Sequence, residues 1–334
     1  MAEAVVEVRR GEVIESLHRV HIAVVDGAGR LRAHAGDPAF VAFARSAIKP
    51  MQAVPLIEDG VVERFGFNEA ELALCCASHS GEARHVDAVA GMLRKVGASE
   101  EALACGPHAP MGKQAAQLLA DQQLEPTRLH NNCSGKHTGM LALARVHGWP
   151  LTGYHEFDHP VQQRMLRELA RWAEMQPDDL AVAVDGCGVI TFALPVERLG
   201  LAFARFAAAA RRGEDAPTRI VQAMMRNPEY VAGADRLCTE LMRVARGRIF
   251  AKVGAEGVYC AGIPGAELGI ALKVEDGATR AAEPALIAVL KALAILSDDE
   301  VADLARFADP VITNTRGEQV GVLRAQIHLE ASHE

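Results

Sequence analysis

Strand-like patterning is confined to the two ends of this chain, and helix-like patterning fills the middle. Residues 5–9, 13–20 and 22–25 alternate or run apolar, and Asp26-Gly27-Ala28-Gly29 has hairpin-turn chemistry ahead of a further strand over 31–35. From Ser46 the period lengthens. Ile48, Met51, Val54, Leu56 and Ile57 suit a buried helix opening at a serine, with Pro50 tolerated in its first turn. Helical patterns recur over 69–76, 85–96, 100–104, 111–122, 136–146, 162–174, 199–212 and 218–225, with two short strands, 180–184 and 189–193, bracketing Asp185-Gly186-Cys187-Gly188. Strands return over 249–253, 257–261 and 267–274, and helices over 284–296 and 300–307 close the pattern. A sheet built from both ends with helices inserted between them is an α+β architecture. The expected organisation is a single domain over 1–334, with a sheet lobe of about 1–45 and 245–334 and a helical lobe of about 46–244.

The 334 residues carry 35 Lys and Arg against 43 Asp and Glu, a formal charge of −8, and no basic run or aromatic-interleaved basic stripe occurs. Phosphate binding needs such a surface, so no nucleic-acid partner is expected. The most apolar stretch, 184–201, is interrupted by Asp185, Glu197 and Arg198. No uncharged run reaches the ~18 residues of a membrane span, so no membrane partner is expected either. The sequence from Met1 to Val8 has acids where a secretory signal carries Lys or Arg, which makes a cytoplasmic enzyme the expectation. In that reducing compartment the seven cysteines, an odd number, are read as free thiols or metal ligands rather than disulfides.

Four polar constellations interrupt the apolar pattern. In Ser46-Ala47-Ile48-Lys49 the serine and lysine fall one helical turn apart on one face. A serine hydroxyl is a poor nucleophile until a base takes its proton, and a partly desolvated lysine can be that base. By itself the pattern also occurs on ordinary solvated helices. Ala77-Ser78-His79-Ser80-Gly81-Glu82 offers two hydroxyls and an imidazole, and read alone it is equally a helix cap. Lys252-Val253-Gly254, on a late strand, pairs a cation with a turn whose backbone N–H groups can face an oxyanion; a solvated edge lysine is its plain alternative. Ser-x-x-Lys, a serine-rich loop and Lys-x-Gly in this order resemble the layout of serine β-lactamases and penicillin-binding proteins. The fourth constellation joins Asn131-Asn132-Cys133-Ser134-Gly135-Lys136-His137 to Asp185-Gly186-Cys187-Gly188. Two thiols in glycine-punctuated turns can bind zinc, although the spacing matches no zinc finger and substrate-binding polar turns are the competing reading.

Taken together, these segments resemble the asparaginase II family, the inducible Rhizobium etli-type L-asparaginases. The matching runs are Arg45 to Pro50, Ala77 to Glu82, Cys105 to His108, His130 to His137, Asp185 to Gly188 and Lys252 to Gly257. The resemblance implies a fold like that of serine β-lactamases, penicillin-binding proteins and glutaminases, with the helical lobe carrying a zinc site. It implies L-asparaginase activity, with two Ser–Lys pairs, Ser46–Lys49 and Ser78–Lys252, and zinc bound by Cys133, Lys136 and Cys187. A lysine amine must be neutral to bind a metal, which makes Lys136 an unusual ligand. Asp185 would stand behind the metal, and Arg45, His79, Ser80 and Asn132, with His137, Gly254 and Glu256, would contact L-asparagine.

The expected reaction is a two-step acyl transfer. Ser46, deprotonated by Lys49, attacks the side-chain amide; ammonia leaves through Ser78 and Lys252; water then cleaves the β-aspartyl ester. Backbone N–H groups at Ser46 and near Gly254 would hold the tetrahedral oxygen. Zinc is expected to be structural or substrate-positioning, because Ser–Lys chemistry already supplies a nucleophile. Cys75, Cys76, Cys105, Cys238 and Cys260 are expected to be packing residues. The exposed edge of the N-terminal meander makes a homodimer the expected assembly. Two other readings fit the same motifs: a penicillin-recognising serine peptidase or β-lactamase-like hydrolase, and a non-catalytic zinc- or amino-acid-binding module. Selectivity between Asn and Gln stays open, since one methylene is worth only about 1–3 kcal/mol of discrimination.

Overall fold

Val5–Arg10 is paired antiparallel on one side with Val13–Asp26 and on the other with Gln319–Gln326, so strands from opposite ends of the chain are neighbours. In the computed structural model, which describes residues 4–332, the sheet runs Val311–Thr313, Gln319–Gln326, Val5–Arg10, Val13–Asp26, Leu268–Val274, Val258–Ile263, Phe250–Val253. Met1 to Glu3, the start of the acidic stretch read against a signal sequence, lie outside the described residues. All these pairings are antiparallel, with Val24 opposite Ile270 and Val6 opposite Ala325. The architecture is the expected α+β one, a sheet drawn from both chain ends with helices inserted between.

Contacts divide the chain into two compact units, residues 1–47, 193–208 and 240–334, and residues 48–192 and 209–239. In the first, the helix Thr279–Ala292 covers the sheet with Ala282, Leu286, Val289 and Leu290, all buried. The helix Val196–Arg211 belongs to this unit up to Ala208, although the sequence pattern placed it in the helical lobe. Its place follows from two glycines: a Cβ on Gly269 would lie 2.1 Å from the Gly200 carbonyl oxygen, and one on Gly200 would lie 3.1 Å from Val25 Cγ2. Backbone meets backbone there, and only glycine permits it.

The second unit is helical, built around Ser134–His147, whose residues Ser134 to Ala144 are all buried. Glu69–Cys75, Ala83–Val96 and Pro160–Ala173 pack against it. Two expectations are corrected. The single helix expected from Ser46 is a 3-10 turn, Arg45–Ile48, followed by the short helices Lys49–Gln52, Val54–Glu58 and Val61–Phe65. Pro50 and Pro55 lack the N–H that would continue a helix, so each falls at the start of a new one, and left-handed Gly60 and Gly66 bound the third. Residues 13–20 and 22–25 form one continuous strand, because no turn residue separates them and successive partners, Val5–Arg10 and Leu268–Val274, pair with its two halves. Among the described residues, no helix is long and apolar enough to cross a membrane.

Candidate active site

The helical unit gathers parts of three of the four polar constellations around one buried cluster. Lys49, 1% exposed at the start of its short helix, points its amine at the Ala77 carbonyl oxygen, at Ser78 Oγ (3.1 Å) and at Cys133 Sγ (3.1 Å). The hydroxyl that Lys49 holds is thus that of Ser78, which sits in the loop after Glu69–Cys75 with its N–H bonded to the Val231 carbonyl. Cys133 stands at the N-cap of Ser134–His147. Asn131 shapes this corner: its Oδ1 accepts from Cys133 N (3.0 Å), and its Nδ2 donates to the Gly106 carbonyl (2.8 Å), a local side-chain turn of the kind asparagine favours. A Cβ on Gly135 would come within 2.4 Å of the Leu74 carbonyl oxygen, so this glycine lets the helix bearing Lys136 approach the chain ahead of Ser78.

Next along the helix, Lys136 Nζ lies 3.1 Å from Cys187 Sγ. Cys187 is carried by a tight turn in which Asp185 N donates to the Val189 carbonyl, Gly188 N donates to the Asp185 carbonyl, and Gly188 takes a φ of +89°. The thiols of Cys133 and Cys187 share a proton: a hydrogen bond from Cys133, aided by Lys136, holds the Cys187 thiol down to about 4. The same bond and burial push Cys133 up to about 12. Burial opposes the Lys136 ammonium, but Cys187, Cys133 and Asp185 outweigh it and raise its pKa. The result is a buried thiolate–ammonium pair with a second thiol donating to the sulfur.

This donor set fits the zinc that the family resemblance implies. Two sulfurs and one lysine nitrogen converge, at 4%, 7% and 5% exposure for Cys133, Cys187 and Lys136; one sulfur is held as a thiolate, and the Lys136 ammonium would have to release a proton to an incoming metal. Among the described residues no group of three or more His, Cys, Asp or Glu side chains is arranged for a metal, so a site here depends on the lysine.

Two histidines border the cluster and differ in their bonding. His79 accepts from Gly81 N at Nδ1 (3.2 Å) and donates from Nε2 to Ser134 Oγ (2.9 Å), whose own proton goes to the Leu129 carbonyl. Both of its ring nitrogens are therefore used within the protein, and burial holds it well below the usual histidine range. His137, fully buried one turn beyond Cys133, meets Tyr154 Oη with Nδ1 (2.6 Å), and its Nε2 has no partner. Ser80 donates its hydroxyl to the Ala232 carbonyl (2.7 Å) and borders a groove of about 800 Å³ along Lys113–Asp121, shared with Glu82, Met111 and Arg236. Asn132 donates its side-chain amide to Met111 Sδ (3.2 Å), and its carbonyl accepts from His79 N.

The remaining candidates belong to the sheet unit. Lys252 is fully buried on Phe250–Val253, opposite Cys260, with Nζ donating to the Val253 carbonyl at 2.8 Å. Ser46 is half-buried in its 3-10 turn beside Arg45, which adopts a left-handed φ of +50°. The chain just before them lies against Gly254, where a Cβ would be 3.0 Å from the Ala44 carbonyl oxygen. Glu256 is exposed in a left-handed turn.

A further cysteine and a tyrosine lie near the thiols. Cys105, read as packing, is close enough to Cys133 and Cys187 for their charges to act on it, and burial chiefly pushes it up to about 12. Tyr154 carries no motif signal, being a lone aromatic in a turn.

A family model described as L-asparaginase II matches residues 6–325. No curated protein sequence matches the chain. Among solved structures, the crystal structure of Mglu in its native form with 4.3 M NaCl aligns at 17% identity over 77% of this chain and 56% of that one, with a TM-score of 0.34. A second Mglu structure aligns at 17% identity over 77% and 61%, with a TM-score of 0.33. The octameric penicillin-binding protein homologue from Pyrococcus abyssi aligns at 14% identity over 82% and 73%, with a TM-score of 0.33. The chain thus spans under two thirds of the Mglu chains it matches.

Proposed function

The chain belongs to the L-asparaginase II family, and from that membership we propose that it hydrolyses the side-chain amide of L-asparagine to L-aspartate and ammonia by serine–lysine acyl transfer. The observation that carries the chemistry is the Lys49 amine 3.1 Å from Ser78 Oγ inside a buried cluster. In this reading Ser46 Oγ gives its proton to Lys49, three residues along the chain, and bonds to the side-chain carbonyl carbon. Ser78, held on the same amine, passes a proton to the departing nitrogen as the C–N bond breaks, releasing ammonia. Water then attacks the β-aspartyl ester, loses a proton to the lysine amine, and frees aspartate as the proton returns to Ser46 Oγ. Lys252 supplies a second buried amine, and its contribution is read by Lys252→Met.

Zinc, held by Cys133, Lys136 and Cys187, would supply a fixed positive charge that orients the substrate's polar groups. Asp185 would stand behind the metal; with no metal bound, its charge favours the protonated forms of both Lys136 and Cys187. The test is ammonia release from Asn and Gln by wild type, Ser46→Ala and Cys133→Ala. Turnover of Asn that vanishes in Ser46→Ala supports the reading; absence of wild-type turnover on both amides overturns it.

A further inference from the structure

We propose that Tyr154 is a positioning residue that fixes His137 as a hydrogen-bond donor toward a substrate oxygen, a role that rests on the asparaginase reading above. Tyr154 is 1% exposed, and its Oη has two partners: the Ala104 N–H at 2.8 Å and His137 Nδ1 at 2.6 Å. The backbone amide can only donate, so it occupies one lone pair of the phenol oxygen. The phenol proton then has one acceptor within reach, His137 Nδ1. A proton on Nδ1 would put two donors on the oxygen and strand the phenol proton in a buried site, which is costly. The arrangement that satisfies all three groups is Ala104 N–H to Tyr154 Oη, and Tyr154 O–H to His137 Nδ1.

That chain leaves the imidazole proton on Nε2, and His137 Nε2 is a buried atom without a partner. His79 provides the contrast, since its Nε2–H is spent on Ser134 Oγ. Buried N–H groups are rarely left unpaired, so an unpaired one beside a reaction centre points to a ligand that completes it. His137 stands one turn from Cys133, whose sulfur is on Lys49, which in turn holds Ser78. The missing partner must accept a hydrogen bond, and L-asparagine offers two such groups near its reacting carbon, the amide carbonyl and the α-carboxylate. His137 in this tautomer has no lone pair at Nε2 and serves as a donor, not as a base.

Tyr154 is anchored independently, its carbonyl accepting from Gln162 Nε2 at 2.8 Å, so Tyr154→Phe removes the hydroxyl while the ring stays packed. Imidazole 15N chemical shifts of the intact enzyme, assigned to His137 by comparison with His137→Gln, read the tautomer without reference to turnover. The expected result is Nε2–H in wild type and a shift toward Nδ1–H or a mixture in Tyr154→Phe. Kinetics on L-asparagine should then show about a tenfold loss of kcat/KM in Tyr154→Phe. A loss carried by kcat assigns the donor to the reacting carbonyl, and one carried by KM assigns it to the α-carboxylate. Nδ1–H in wild type overturns the proposal, as does an unchanged tautomer in Tyr154→Phe. If Tyr154→Phe does not fold, the wild-type tautomer still decides. Absence of asparagine hydrolysis in wild type defeats the asparaginase reading and leaves the tautomer result standing by itself.

Discussion

The amine of Lys49 is 3.1 Å from both the hydroxyl of Ser78 and the sulfur of Cys133, so one buried amine serves the serine chemistry and touches the thiol cluster. A change at Lys49 should therefore register in both. Lys49→Met is expected to lower kcat for asparagine by about 10²–10⁴-fold. Ser46→Ala and Ser78→Ala should each do the same, as measured by ammonia release. Retained activity in Ser46→Ala with loss in Ser78→Ala would make Ser78 the nucleophile.

Metal removal separates positioning from chemistry. Chelator-treated enzyme is expected to keep measurable kcat while KM for asparagine rises, and zinc should restore KM. Asp185→Ala should weaken zinc retention by about 10–100-fold, read by metal analysis after dialysis. Complete, zinc-reversible loss of turnover at saturating asparagine would contradict the positioning role.

Gly135→Ala tests the close approach that brings Lys136 into the cluster. Its Cβ would sit 2.4 Å from the Leu74 carbonyl oxygen, a backbone atom that cannot rotate away. The expected loss is about 1–3 kcal/mol of stability, followed by thermal unfolding. Gly91→Ala is the control: its Cβ would meet only the end of the Arg94 side chain at 3.8 Å, and helix propensity predicts a small gain.

Asp26 predicts how acid acts on the sheet unit. Burial pushes its carboxyl up, but the amides of Arg30 and Ala28 and the Arg30 guanidinium more than offset this and leave it below the usual range. A carboxylate depressed in the folded state stabilises that state above its unfolded pKa, about 3.9, and the contribution disappears as pH falls through the folded value. Asp26→Ala should thus unfold at lower urea than wild type at pH 7, with the gap narrowing below pH ~4. A gap that is constant down to pH ~2 would show that the carboxylate's charge is not what matters.

How much of this was legible in the sequence depends on what each signal encodes. The two-ended sheet was visible because Val13 to Val25 is dense in β-branched residues and 267–274 runs largely apolar between turns. The pairing strands Val311–Thr313 and Gln319–Gln326 were not, since the first is only three residues long and the second is interrupted by Gly321 and ends in largely exposed polar residues. Ser78, Cys133, Lys136 and Cys187 were singled out by their motifs, and the structure gathers them with Lys49. The partner of Lys49 was beyond reach: helical spacing points it at Ser46, whereas its hydrogen bond to Ser78 depends on a tertiary approach across 29 residues. Tyr154 was invisible for the same reason. Its meaning lies in Ala104 and His137, and neither is near it in sequence.

The interleaving of the chain ends also sets an order of events during synthesis. Val24 faces Ile270, so the inner half of the long N-terminal strand has no partner on that side until about 250 further residues have been translated. At ribosomal speeds this is a wait on the order of tens of seconds. Throughout it, residues 48–192 and 209–239 can complete their helical unit while an unpaired strand edge rich in valine and isoleucine stays open to other nascent chains. Yield in a cell should therefore respond to translation rate and to chaperones that shield strand edges, even for variants whose finished stability is unchanged.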